Sequence, residues 1–175
     1  AQAVQLALEA HPDWDGASVT VANGDNLPPF GMFQAMLAYR ACLPAFDRDH
    51  LGLPADRMQA FAVISRNDQG GLARIDEKPD EATIQSAIWL DGTVRVSMNY
   101  FRVPYCDLLE AVRTVPEHPM RKEKELPVAL SNWSEGHPGD LQVLPMAGAF
   151  LDLTHPQDIV KAGERLDQGG FELRI

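Results

Sequence analysis

"VANGDN", residues 21 to 26, is the stretch on which the reading of this chain turns. Upstream, "SVTVA" is a short apolar run with β-branched residues, the pattern of a buried strand. The run stops, and the chain at once presents Asp25 between a glycine and an amide. Two readings follow. Asp25 closes an Asx-turn, or the strand delivers it to a metal or sugar site at the mouth of a sheet. The second fits α/β folds, where ligands gather beyond the C-terminal ends of parallel strands.

Working outward, residues 2 to 10 read as a helix with Val4, Ala7 and Leu8 on one face. Residues 31 to 41 read as a second helix with Phe33, Met36 and Leu37 on one side. Residues 42 to 58 carry Pro44, Gly52 and Pro54 and read as a mixed loop with a short helix. "FAVIS" (61–65) and Leu72 to Ile75 flank "RNDQGG", which has hairpin-turn chemistry. "DEKPDEA" is a loop in which Pro79 holds Lys78 extended. "VRVSMNYFRV" (94–103) reads as one strand, and Pro104 opens a helix with Tyr105, Leu108, Leu109 and Val112 on its face.

"PEHPMRKEKE" is polar and exposed, with "RKEKE" a solvated helix start, and residues 125 to 133 form a short helix. Leu141 to Leu144 and Ala149 to Leu151 are short strands. Thr154 to Gln157 fits a capping box, T-x-x-Q, for a helix reaching about Leu166, with His155 in its first turn. Phe171 to Ile175 is a last strand. Strands mixed with helices, without repeats or a dividing linker, predict one α/β domain spanning residues 1 to 175.

The net charge of -10 and pI near 4.8 exclude a general nucleic-acid binder, which needs a basic face. No apolar run is long enough to cross a membrane. The opening "AQAVQLALEAHPDW" lacks the basic start and cleavage site of a signal peptide. Cys42 and Cys106 form no CxxC and are too few for a disulfide framework, so reduced thiols and a cytoplasmic location are expected.

Three places carry candidate chemistry. Asp25 and Asp152 each follow a strand end. A Mg²⁺ ion takes one or two carboxylates, with waters and substrate phosphates completing its shell; the alternative is an Asx-turn at Asp25 and a helix cap at Asp152 or Thr154. In "DEKPD" (76–80), Lys78 is a point charge for a phosphate and Glu77 an acceptor for sugar hydroxyls; the alternative is a solvated acidic loop. Asn99 lies in an otherwise apolar strand, where its amide needs a partner: a sugar hydroxyl, or the chain itself. H-E-x-x-H, G-x-S-x-G, G-x-x-x-x-G-K-[ST] and G-x-G-x-x-G are all absent.

Taken in order, "AQAVQLAL", "VANGDN", "ARIDEKP", "SMNYFRV", "KELPVAL" and "GAFLDLTHPQDI" resemble the sugar-1-phosphate nucleotidyltransferases. The likeness runs through nearly the whole chain, most specifically at Gly24-Asp25-Asn26, Glu77-Lys78-Pro79 and Asp152. It implies a mixed, mainly parallel sheet flanked by helices, a variant of the dinucleotide-binding architecture. It implies transfer of a nucleotidyl group from an NTP to a sugar-1-phosphate, giving an NDP-sugar and pyrophosphate. Asp25 and Asp152 would hold Mg²⁺. Lys78 would contact the sugar phosphate, Glu77 and Asn99 the sugar hydroxyls, and Gly24 and Asn26 would lie against the substrate.

The family's Gly-rich loop, L-A-A-G-x-G-T-R, is missing from this sequence. The expectation is therefore the C-terminal two-thirds of such a domain, lacking roughly 80 residues of a typical ~250. An uncovered sheet edge would then favour a homo-oligomer or an added N-terminal segment. The alternative is a non-catalytic sugar-phosphate-binding or interaction module. A metal-dependent glycosyltransferase ranks last, because Asn-Gly-Asp-Asn stands where Asp-x-Asp is usual.

Overall fold

A computed structural model describes residues 1–53, 55–58, 61–153 and 156–167. In chain order these form α1 (Gln2–Ala10), β1 (Ser18–Val21), β2 (Asn26–Leu27), α2 (Met32–Leu37), β3 (Cys42–Asp47), α3 (Ala55–Met58), β4 (Val63–Arg66) and β5 (Leu72–Asp76). There follow α4 (Glu81–Ser86), β6 (Arg95–Val96), β7 (Phe101–Pro104), α5 (Tyr105–Thr114), α6 (Leu126–Gly136), β8 (Gln142–Met146), β9 (Leu151–Asp152) and α7 (Pro156–Asp167).

The centre of the sheet is β3, in a stretch the sequence presents as a loop. All six of its residues are buried. Leu43 and Ala45 enter one core, while Cys42 and Phe46 enter the other, as the two-residue period of a strand requires. Such a strand, covered on both faces, shows a continuous apolar run and no alternation. Pro44 is tolerated because of its place. On one edge β3 pairs with β8. On the other it meets β7 only at Cys42 and β6 only at Phe46 and Asp47, so Pro44 falls in the gap between them.

The expectation of a mainly parallel sheet is wrong. The pairs β1·β7, β7·β3, β3·β6, β6·β4 and β4·β5 are antiparallel, and among the described residues only β3·β8 is parallel. The sheet curls into a half-barrel. Alternation of helices with strands along the sequence does not by itself set strand direction. Here a tight hairpin joins β4 to β5, and the β6–β7 line runs back alongside β3, so antiparallel pairing follows.

One face is covered by α1, α5 and α6. Leu8, Leu108, Val112, Leu130 and Trp133 pack there on Ile64, Leu72, Phe101 and Val103. The other face is filled by Met32 and Met36 of α2 with Met98, Tyr100, Leu144 and Phe150. The expected apolar side of the second helix is thus turned by about one position. Gly31 precedes it at φ 82°, and Phe33 and Leu37 remain 46% and 65% exposed.

Residues 94 to 103 do not form one strand. Asn99 takes φ 59° and divides β6 from β7, with its N–H donating to Ser97 Oγ at 3.2 Å. Asparagine is among the few residues that accept this left-handed region. The loop after β5 hides a helix start: Asp80 accepts from Thr83 N at 2.8 Å and caps α4. The T-x-x-Q cap at Thr154 and the strand at Phe171–Ile175 lie outside the described residues, whereas α7 runs close to the expected span.

The hairpin turn packs tightly on the chain entering β8. A Cβ on Gly71 would stand 2.8 Å from Gly139 Cα and 3.2 Å from Leu141 O, both backbone atoms. Gly71→Ala is therefore expected to cost about 1–3 kcal/mol, read as a lowered denaturation midpoint. An unchanged midpoint would show that the two backbones separate freely.

Candidate functional site

The strand registers form an opening in the sheet. Val21, the last residue of β1, lies opposite Phe101. Val63, the first of β4, lies opposite Val96 on the same edge of the β6–β7 line. Among the described residues no strand pairs with Met98–Tyr100 on that edge, and Asn99 sits there in its left-handed conformation. The chain leaves β1 toward this opening as Asn23-Gly24-Asp25. It also leaves β5 there, because Asp76 is in line with Val63 and Val96, and Glu77-Lys78 follow. The sheet thus brings the "NGD" and "EKP" loops to one place from opposite directions.

A second, two-stranded ladder adds the other acid. β2 pairs antiparallel with β9, setting Asn26 opposite Asp152 and Leu27 opposite Leu151. Leu153 N–H donates to Asp25 O at 2.9 Å. The two aspartates, far apart in sequence, therefore share one backbone ladder. Tyr100 ties it to the sheet by donating from its hydroxyl to Asn26 O at 3.1 Å. Phe33 and Phe150 meet the Tyr100 ring edge-on at 5.7 and 5.9 Å.

The Asx-turn reading of Asp25 does not hold among the described residues: its side chain is exposed and no backbone N–H bonds to it. Burial pushes the Tyr100 phenol up to about 12, and the Asp25 charge adds to the rise. Ionising this phenol would strand a second anion under the ladder. The sign is fixed by the raised value. The stability that this group contributes is whole below its ordinary pKa of 10.0 and is lost as pH climbs through about 12. Alkaline absorbance titration should show a late component, and Tyr100→Phe should remove it. A titration curve whose late component survives in Tyr100→Phe, or that has none, would contradict the burial described.

Lys78 is exposed and has no ion pair among the described residues. It is not extended, as Pro79 led us to expect, but lies at φ 49°. Of the three non-glycine residues with positive φ among the described residues, two, Lys78 and Asn99, are therefore candidate site residues. Such strain gathers at functional sites. The Asn99 side chain is partly exposed and makes no hydrogen bond among the described residues, so it is not a satisfied core amide. A Cβ on Gly24 would meet open space, so nothing within the described chain requires glycine there.

Arg121 was hidden in the charge run "RKEKE". It reaches Glu77 at 3.5 Å and Glu123 at 3.8 Å, and also meets Glu125. The loop after α5 is thereby fastened to the "EKP" loop. Charge runs hide such contacts because their composition matches that of a solvated face.

Among the described residues there is no group of three or more His, Cys, Asp or Glu placed to hold a metal. Mg²⁺ does not need one, since water and phosphate oxygens complete its octahedron around one or two carboxylates. The exposed Asp25 supplies one such carboxylate.

No protein-family model and no curated protein matches the sequence. Solved structures do match in fold. One is a protein from Bacillus anthracis assigned as a glucose-1-phosphate thymidylyltransferase, crystallised in complex with sucrose. It superposes with a TM-score of 0.63 at 15% identity, over 100% of this chain and 62% of its own. The chain thus has a nucleotidyltransferase-like fold and spans less than two-thirds of that protein's length. No helix among the described residues is long and apolar enough to cross a membrane.

Proposed function

We propose that this chain carries the sugar-phosphate and metal part of a sugar-1-phosphate nucleotidyltransferase site. The observation that carries the reading is the β2–β9 ladder, which sets Asn26 opposite Asp152 beside an opening that also receives Glu77-Lys78. Asp25 and Asp152 hold Mg²⁺, which when bound neutralises phosphate charge. Lys78 holds the phosphate of the sugar-1-phosphate. Glu77, braced by Arg121, and Asn99 accept and donate hydrogen bonds to sugar hydroxyls. Gly24 leaves space beside Asp25 for the substrate. Joining two phosphates is mostly alignment and charge neutralisation, and a chain of net charge -10 needs local cations for it. The triphosphate cradle of the family is not in this sequence, so acceptor binding is the step to measure.

Calorimetry with a panel of hexose-1-phosphates is expected to show saturable binding that Mg²⁺ strengthens. Asp25→Ala should abolish the Mg²⁺ effect while the fold is retained. A folded chain that binds no sugar phosphate with or without Mg²⁺ would sink this reading. It would favour an interaction module, the second reading, for which the apolar residues exposed on and beside α2 speak.

A further inference from the structure

A cleft of about 570 Å³ lies away from the motif residues, between the turn of the β4–β5 hairpin and the segment Ile88–Asp91. Its size is that of a small-molecule site. Trp89 is fixed in it by donating its indole N–H to Ile64 O at 2.9 Å. Two guanidinium groups converge on that indole, Arg66 at 4.7 Å and Arg95 at 5.3 Å from the ring centre. Trp89 therefore serves as a cation–π platform.

The two arginines are not equivalent. Arg95 is buried and engaged at all three of its nitrogens, donating to Thr93 Oγ1, Met146 O and Asp91 Oδ2. Arg66 is exposed, and besides its contact with Trp89 it is held among the described residues by one hydrogen bond, from Nε to Gly70 O at 3.2 Å. Its two terminal amino groups have no partner among the described residues. A Cβ on Gly70 would stand 2.7 Å from one of them, so the turn makes room for the guanidinium to lie where it does. Asp68, on the same rim, has no ion pair among the described residues, and Ile88 and Leu90 supply an apolar wall, 42% and 111% exposed.

We propose that this cleft binds a nucleotide. An unpaired guanidinium edge asks for a phosphate. An unpaired carboxylate close by rejects a bare anion but accepts hydrogen bonds from ribose hydroxyls or a base N–H. The guanidinium plane on Trp89, with the apolar wall beside it, takes a flat ring by stacking. A nucleoside monophosphate has all three groups; inorganic phosphate has one.

The probes are uridine and guanosine monophosphate, with the unphosphorylated nucleosides and inorganic phosphate as separate arms. The readout is the indole N–H resonance of Trp89 in nitrogen-labelled protein, assigned with Trp89→Phe. The monophosphates should shift it saturably, and each separate arm should do so more weakly. Arg66→Gln should weaken the response roughly tenfold, while Lys78→Ala leaves it unchanged. No shift at Trp89, or an undiminished response in Arg66→Gln, overturns the proposal. So does phosphate binding as tightly as the monophosphates. Loss of the response in Lys78→Ala would assign the ligand to the sugar-phosphate site instead, so the two proposals fail separately.

Discussion

Phe150→Ala is expected to lose about 3–5 kcal/mol of folding stability. The side chain is 0% exposed. Its ring meets Phe46 at 5.3 Å and Tyr100 at 5.9 Å, and its N–H donates to Leu51 O. It is the link between the all-buried central strand and the tyrosine that holds the β2–β9 ladder. Truncation leaves a cavity exactly where sheet and ladder join, and both walls are fixed by backbone bonds, so the site collapses poorly. Denaturant unfolding measures the loss. Phe30→Ala, at a residue 55% exposed, should stay within about 0.5 kcal/mol. Equal effects for the two would mean that the aromatic series is not the spine of this face.

Lys78→Ala is expected to weaken sugar-1-phosphate binding by roughly 10- to 150-fold, the loss of one hydrogen bond to a charged group. The left-handed backbone supplies a control. At φ 49° a side chain carries strain that glycine does not, so Lys78→Gly should raise stability modestly and lose affinity as severely as the alanine variant. A lysine kept only to shape the loop would give the opposite result, with glycine binding as well as lysine. Lys78→Arg keeps the charge but changes a compact ammonium for a broad fork, and partial recovery is expected.

Much of this was legible in the chain. The strand at Val19 and Val21, the hairpin around "RNDQGG", the face of the helix after Pro104 and the approximate span of α7 all follow from short-range periodicity and turn chemistry. The central strand was not, because residues 42 to 47 are buried on both faces and carry a proline. Neither alternation nor the usual proline rule reads such a segment correctly. Strand direction was not legible either, since it depends on which strands pair rather than on what lies between them. Asp25, Lys78, Asn99 and Asp152 were legible as candidates from their motifs, and the backbone registers carry their loops toward one opening. Arg121 was not, because its partner Glu77 is 44 positions away.

The parallel ladder between Cys42–Phe46 and Gln142–Met146 also bears on how the protein is made. A ribosome finishes the most buried strand of the sheet long before it finishes that strand's neighbours. The antiparallel partners at Arg95–Val96 and Arg102 come first, and the parallel partner only in the last third of the chain. Doubling a closed loop costs only about 0.6 kcal/mol more, so the finished fold hardly feels the delay. The nascent chain does: until Gln142–Met146 emerges, an apolar strand stands with one edge open, a period of greatest risk for association with another chain.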